Sequence, residues 1–161
     1  MEKLRVRPLA QDDKRWVAEF TEEHWGARKV VAKERIIYPD ELEGFVAFRG
    51  DRKVGLVTYH LERGECEIVT LNSLVEGQGI GSSLMDAVKK AAISAGCGRL
   101  WLITTNDNMS ALRFYQKRGF RLAALYLNAL DRSRLLKPQI PLFGKDGIPL
   151  RDEIELGMSL A

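Results

Sequence analysis

The sequence is poor in the side chains that bind metals and form cross-links. It has two cysteines and two histidines in 161 residues. Cys66 and Cys97 form no Cys-x-x-Cys pair, and two isolated thiols build no disulfide framework. His24 and His60 lie far apart in the chain, so no cluster has metal-ligand spacing and no metal is expected. Charge of one sign is scarce too: 25 basic side chains stand against 22 acidic ones, a net of +3. That balance argues against a nucleic-acid partner, although it suits a small anionic ligand. Long apolar runs are missing. The longest, Leu122 to Leu130, is interrupted by Asn128 and falls far short of the ~20 residues of a membrane span. Met1-Glu2-Lys3-Leu4 lacks the apolar core of a secretory signal. A cytoplasmic protein with no membrane association is expected.

What is present is ordinary for a globular chain: 45% hydrophobic and 29% charged residues, enough apolar surface to offset chain entropy. The length suits one domain, residues 1–161, with its own core. Residues 11–44 carry nine acidic and six basic side chains, and residues 45–161 carry sixteen basic and twelve acidic. Two readings stay open: solvated surface throughout, or an early region that receives a cation and a later one that holds a polyanion.

Hydrophobic period orders the elements. Leu4-Arg5-Val6-Arg7 alternates as a strand and stops at Pro8. Trp16, Val17, Phe20 and His24 recur at helical spacing up to Gly26. Residues 27–44 read as a short helix or an irregular segment broken at Pro39. Three strands follow, Phe45–Arg49, Lys53–Leu61 and Glu65–Leu74, joined by Gly50-Asp51 and Arg63-Gly64, so they form an antiparallel meander. On the third, alternation places Glu65, Glu67 and Val69 on one face and Cys66, Ile68 and Thr70 on the other. Ile80, Leu84, Ala87, Val88, Ala91 and Ala95 mark a helix that Gly96 stops. A strand at Arg99–Thr104, a helix at Asn108–Arg118 and strands at Phe120–Leu127 and Ile154–Leu160 complete the chain. The connection 128–153, with a short helix and then a proline- and glycine-rich stretch, is long enough to be functional or mobile.

Between the meander and its helix lies Val75-Glu76-Gly77-Gln78-Gly79-Ile80-Gly81-Ser82-Ser83. Glycines let a backbone approach a ligand closely, and the helix start offers free N–H groups and partial positive charge. Together they suit a phosphate. No lysine follows the glycines, which excludes a Walker-type loop. Position 82 is serine and the preceding strands form a meander, which argues against a dinucleotide fold.

These residues resemble the GNAT N-acetyltransferases, whose pyrophosphate loop reads Arg/Gln-x-x-Gly-x-Gly/Ala. This chain has Glu76-Gly77-Gln78-Gly79-Ile80-Gly81 there, with a carboxylate at the first position. Asn108-Met-Ser-Ala111-Leu-Arg-Phe-Tyr115-Gln-Lys-Arg-Gly119-Phe120 resembles the family's Asn-x-x-Ala-x-x-x-Tyr-x-x-x-Gly-Phe. The resemblance spans about residues 4–160. It implies an α/β (α+β) fold: a mixed, mostly antiparallel central sheet of about seven strands flanked by helices. The strand before the loop and the strand after its helix splay apart. It implies acetyl-CoA as cosubstrate, with its pantetheine arm on the backbone of Leu71, Asn72, Ser73 and Leu74 and its diphosphate on Gly77, Gln78, Gly79, Ile80, Gly81 and Ser82. Asn108 and Tyr115 also face it.

The chemistry needs a base for the amine, a donor to the thioester oxygen and a proton for the leaving thiolate. The resemblance points to Glu67 as base, directly or through water, with Glu65 as rival. Tyr115 is expected as the acid, since a phenol is protonated at neutral pH. Asn108 either caps its helix or bonds the pantetheine amide. Asn106 is a weaker candidate, and His24 and Trp25 lie near the family's acceptor cleft, where packing competes with function. Arg132, Arg134 and Lys137 read as solvated, in the long connection expected to border the acceptor. The acceptor is an amine, of a small molecule or a protein, and a homodimer is expected through the late strands. The competing reading is a non-catalytic CoA-sensing or protein-interaction module on this scaffold.

Overall fold

The computed structural model describes residues 2–160. Its first strand, β1 (Leu4–Pro8), leads through a 3-10 turn into α1 (Lys14–Trp25), which Gly26 ends at φ 81°. The meander follows as β4 (Glu43–Arg49), β5 (Arg52–Glu62) and β6 (Glu65–Ser73). Then come α2 (Ile80–Ser94), β7 (Arg99–Thr105), α3 (Met109–Lys117), β8 (Arg121–Tyr126), α4 (Ala129–Leu136) and β9 (Glu153–Ser159). The main sheet has seven strands in the order β1-β4-β5-β6-β7-β9-β8. Only β6 and β7 run parallel. No helix among the described residues is long and apolar enough to cross a membrane.

Residues 27–44 depart from the expectation of a helix or irregular segment. They form a hairpin, β2 (Val30–Ala32) paired with β3 (Arg35–Ile37), and a 3-10 turn at Pro39–Glu41. Its two-residue turn, Lys33-Glu34, has both residues at positive φ, 52° and 60°. That conformation normally calls for Asn-Gly or Asp-Gly, so Lys-Glu carries no local hairpin signal. Distant partners impose it. The Lys33 amide donates to Glu153 Oε1 at 3.0 Å, and the Arg35 guanidinium holds both oxygens of Glu67 at 2.8 and 2.7 Å.

The sheet separates two layers. Gly55 lies under α2, where an added Cβ would stand 2.7 Å from Ile80 Cγ2. Its neighbour Leu56 packs on the other face against Val17 and Phe20 of α1. The main core fills the α2 face with Leu84, Val88, Leu100, Leu102, Tyr115 and Leu156 among others. Four-residue spacing of Ile80, Leu84, Val88 and Ala92 gives α2 one continuous buried stripe. Gly96, at φ 79°, ends it with the paired bonds Gly96 N–H to Ile93 O and Cys97 N–H to Ala92 O.

A bulge corrects the expected alternation on β6. Tyr59 pairs with Ile68 but Thr58 pairs with Thr70, leaving Val69 as an extra residue. Cys66 and Ile68 face α2, as alternation predicts. Thr70 does not join them; it crosses to the α1 face and shares a 2.6 Å hydroxyl contact with Thr58. Beyond the bulge, Leu71 packs against the α2-side core, and the Asn72 side chain accepts from Trp25 Nε1 of α1 at 3.1 Å.

Candidate active site

The pairing of β6 with β7 stops at Ile68–Leu102, whereas β7 stays paired with β9 to Thr105–Glu153. From Val69 onward the two parallel strands diverge, and each turns an unpaired backbone edge to the gap. A cleft of about 490 Å³ opens there. Leu71, Asn72 and Ser73 form one wall; Gly77, Gly79, Ile80, Gly81 and Ser82 close one end; Asn108 and Tyr115 form the opposite wall. Ten of the twelve residues expected at the cofactor are therefore brought together. Leu74 and Gln78 are not in this lining. The Leu74 amide donates to Val54 O at 2.8 Å, and Gln78 Oε1 accepts from Arg49 Nε at 3.0 Å.

The loop is shaped for a ligand. Gly77 and Gly79 stand at φ 75° and 73°, and an added Cβ at either would meet nothing within 4 Å. Helix α2 starts with no side-chain cap, and its first helical bond runs from the Ser83 amide to Gly79 O. The amides of Ile80, Gly81 and Ser82 thus remain available to an acceptor from outside the helix.

Tyr115 is 9% exposed. Phe114 and Phe120 meet its ring edge-on at 5.2 and 5.4 Å between centroids. Its hydroxyl has no hydrogen-bond partner among the described residues, and burial drives its pKa above the ordinary phenol value. The group stays protonated and has its proton free to donate into the cleft. Asn108 caps α3, accepting from the Ala111 amide at 3.3 Å and from Lys145 Nζ at 3.1 Å. Asn106 serves the scaffold: its Oδ1 accepts from the amides of Arg151 and Asp152, and its Nδ2 donates to Pro149 O.

Glu67 sits on the other face of the sheet, outside the cleft lining. It is 3% exposed, bound by Arg35 on both oxygens, and borders a smaller opening with His60, Glu62, Arg63, Glu65 and Trp101. Glu65 is half-exposed and accepts from Arg99 at 3.3 Å. His24 stacks on Phe20 at 4.1 Å.

Sequence reading missed a charged layer on this face. Glu153 is 1% exposed, and burial raises its pKa despite the Lys33 amide and the neighbouring cations. Glu155 accepts from Arg99 at 2.7 Å, from the Tyr126 hydroxyl at 2.7 Å and from Lys33 at 3.5 Å. Burial raises its pKa, the partners lower it, and the partners prevail. Trp101 lies beneath Lys33, Arg35 and Arg99, with their charged atoms 5.2–5.8 Å from its ring centre. Apart from Arg99 and Trp101 on β7, these partners come from distant parts of the chain, so no spacing signalled the layer.

The long connection differs from expectation. Lys137 is buried, not solvated: its Nζ donates to Trp25 O at 2.6 Å and Lys29 O at 3.0 Å, closing the end of α1. Arg132 pairs with Glu34 at the hairpin tip, and Arg134 donates to the carbonyls of Ile140, Pro141 and Leu150. At the far end of the connection, the Lys145 amide donates to Asp107 Oδ2 at 2.9 Å. This puts Lys145 in the lining of the cofactor-side cleft, so the connection reaches both sides of the site. Arg118, just past the end of α3, lines the same cleft.

A family model described as Acetyltransferase (GNAT) family matches residues 6–120. The chain is 42% identical over 154 residues to a Bacillus subtilis (strain 168) protein named Uncharacterized protein YxbD, covering 95% of this chain and 97% of the relative. Among solved structures, an IAA acetyltransferase from Bacillus cereus ATCC 14579 superposes with a TM-score of 0.76 at 20% identity, covering 98% of this chain and 99% of the other. A Bacillus subtilis acetyltransferase in complex with CoA gives a TM-score of 0.69 at 23% identity, covering 99% and 100%.

Proposed function

The chain belongs to the acetyltransferase (GNAT) family, and we propose that it transfers the acetyl group of acetyl-CoA to an amine by direct attack in a ternary complex. The observation that carries this reading is the partnerless Tyr115 hydroxyl, buried at the wall of a cleft whose end is the open start of α2. When bound, acetyl-CoA supplies an acetyl thioester. The backbone edge of β6 at Leu71–Ser73 receives its pantetheine arm as an added strand would be received. The loop amides take the phosphate charge. The acceptor enters from the α1 face, through the gap opposite, and both reactants are held in one orientation.

In the reaction an N–C bond forms, the C–S bond breaks, and one proton leaves nitrogen while one arrives at sulfur. Tyr115 donates the proton to the departing thiolate. Glu67 receives the amine's proton through a water, because both its oxygens already accept from Arg35 and its side chain does not enter the cleft. Arg35 fixes that carboxylate in place. The homodimer expected from the resemblance would form through β8, the edge strand of the late half of the sheet, whose Leu122 and Leu125 are 59% and 57% exposed; a monomer by light scattering rejects it.

The test has two stages. Acetyl-CoA at ~100 times its Kd adds about 2.7 kcal/mol to the native state, a rise in Tm of roughly 5–11 °C for a domain of this size. NADH and ATP at the same concentration should leave Tm unchanged. Release of free CoA thiol is then followed across a panel of amines. No rise with acetyl-CoA rejects the reading. A rise without thiol release by any amine favours a CoA-sensing module over an enzyme.

A further inference from the structure

The loop lacks the Arg or Gln donor that the resemblance expects at its first position. Glu76 stands there, is exposed, and belongs to the cleft lining. A carboxylate has no proton to donate to a phosphate at neutral pH and repels its charge. The backbone amides of α2 supply only partial positive charge. Either the cleft holds its anion without a full cation, or a cation comes from elsewhere.

Two cations line the cleft, Lys145 and Arg118; Lys145 Nζ is turned to the Asn108 cap at 3.1 Å, whereas Arg118 stands at the helix start that follows the loop. It follows the last residue of α3, yet its guanidinium is held against the first turn of α2. Nε donates to Ser82 Oγ at 3.1 Å, Nη2 donates to the same oxygen, and Nη1 donates to Phe114 O at 3.0 Å. The guanidinium carbon lies 3.6 Å from the Phe114 ring centre. Phe114 is itself fixed on α2, since a Cβ added at Gly81 would stand 3.2 Å from its ring. So an exposed arginine, normally free to sample many rotamers, is locked in one place. That place adjoins Gly81 and Ser82, whose amides are open. Three of its five N–H groups are used; two remain, with the full charge.

The charge is also unspent. Seven arginines pair with a carboxylate; of the others, Arg118 is the one that lines the cleft. Arg118 pairs with none among the described residues, although Glu76 lines the same cleft. A rigid guanidinium with spare donors and no counterion, beside an open helix start, is a preformed partner for a phosphate.

Building on the acetyl-CoA reading above, we propose that Arg118 is a phosphate-binding side chain of the cofactor site and supplies, from the end of α3, the side-chain donor that the loop lacks at Glu76. The ligand chemistry is a phosphate ester. Two parts of acetyl-CoA offer it, the diphosphate bridge and the 3′-phosphate of the ribose.

The experiment is calorimetric titration of the full chain with acetyl-CoA, acetyl-dephospho-CoA and acetyl-pantetheine, the last carrying no phosphate. Arg118→Ala should weaken acetyl-CoA about 10- to 100-fold, the range for a charge-assisted hydrogen bond. It should leave acetyl-pantetheine unchanged. A loss that persists with acetyl-dephospho-CoA assigns the contact to the diphosphate; a loss that disappears assigns it to the 3′-phosphate, and both support the proposal. Where the contact falls on the diphosphate, the double variant Arg118→Ala with Glu76→Arg returns a donor to the loop and should recover most of the affinity. The proposal is overturned if Arg118→Ala binds acetyl-CoA like the wild type. It is equally overturned if acetyl-pantetheine weakens by the same factor, since Arg118 would then merely hold α3 on α2, or if the loss persists with acetyl-dephospho-CoA and the double variant binds no better than Arg118→Ala. Wild-type protein that binds no acetyl-CoA at all removes the enzyme reading itself, an outcome distinct from binding that is indifferent to Arg118.

Discussion

The two faces of the sheet are held by different physics. On the α2 face, aliphatic side chains from α2, β7 and β9 meet in one apolar core, with Leu84, Val88, Leu100 and Leu156 fully buried. On the α1 face beneath the hairpin, Glu67, Glu153 and Glu155 are buried in a row of carboxylates that Arg35, Lys33 and Arg99 neutralise. Apolar packing is non-directional and tolerant of detail. Buried charge depends on each partner being present. The face that carries the cofactor-side loop is thus the generic one, and the face that we assign to the acceptor is the particular one.

The largest expected effect tests the site between the two faces. Tyr115→Phe keeps the ring and its edge contacts with Phe114 and Phe120 and removes only the proton donor. Turnover should fall about 10³-fold, within the range for general acid catalysis, while acetyl-CoA affinity holds. Steady-state rates beside calorimetric binding check this; unchanged turnover removes Tyr115 from the chemistry.

Next comes the apolar face. Leu84 is 0% exposed, and Leu84→Ala leaves a cavity under α2. A loss of about 3 kcal/mol in unfolding free energy is expected by urea denaturation, in line with buried leucine truncations. Because no charge is involved, the loss should be the same at pH 6 and pH 8. A loss that varied with pH would break the contrast between the faces.

Glu67→Gln probes the charged face and should show two effects. Arg35 loses one charged oxygen; with its side chain 38% exposed, water offsets part of the cost, leaving about 1–2 kcal/mol of stability loss. If Glu67 takes the proton through water, turnover falls about 30-fold near neutral pH. The deficit should shrink as pH rises and the acceptor amine loses its proton unaided. A rate deficit independent of pH would reduce Glu67 to an anchor for the hairpin.

The same contrast explains what could be read from the sequence. The α2 face and the cofactor cleft are written in local patterns: four-residue spacing from Ile80 to Ala92, the glycines at 77, 79 and 81, and Tyr115 seven residues after Asn108. The resemblance added the seven-stranded central sheet and the splay. The hairpin was illegible because Lys33-Glu34 adopts a glycine-type turn only under the hold of Glu153 and Glu67, far along the chain. The Val69 bulge left no mark, since one extra β-branched residue in a strand looks like any other. Arg118 occupies a variable position of the Asn-x-x-Ala-x-x-x-Tyr-x-x-x-Gly-Phe pattern, and only the fold reveals that it meets Ser82.

The smallest expected effect is the sharpest measure of the charged face. Glu153 and Glu155 lie two residues apart on β9, point to the same side, and are shifted in opposite directions. Glu153 is raised above the ordinary value near 4.5, first by burial. Between the unfolded and folded values the native state binds the extra proton, so the favourable contribution is full at low pH and is lost as pH rises through the folded value. Glu155 is lowered by Arg99, Tyr126 and Lys33 acting against burial. Its contribution is present above the ordinary value and is lost as pH falls through the depressed one. Glu153→Gln keeps an acceptor for the Lys33 amide and removes the buried charge, so it should gain stability relative to wild type as pH is raised above the ordinary carboxylate range. Glu155→Gln should lose stability at pH 7, and that deficit should close as pH falls below 4.5. Denaturant midpoints of both variants across this range decide it. Parallel curves for the two would mean that the hairpin's cations balance the carboxylate row as a whole, and that no single partner sets either charge.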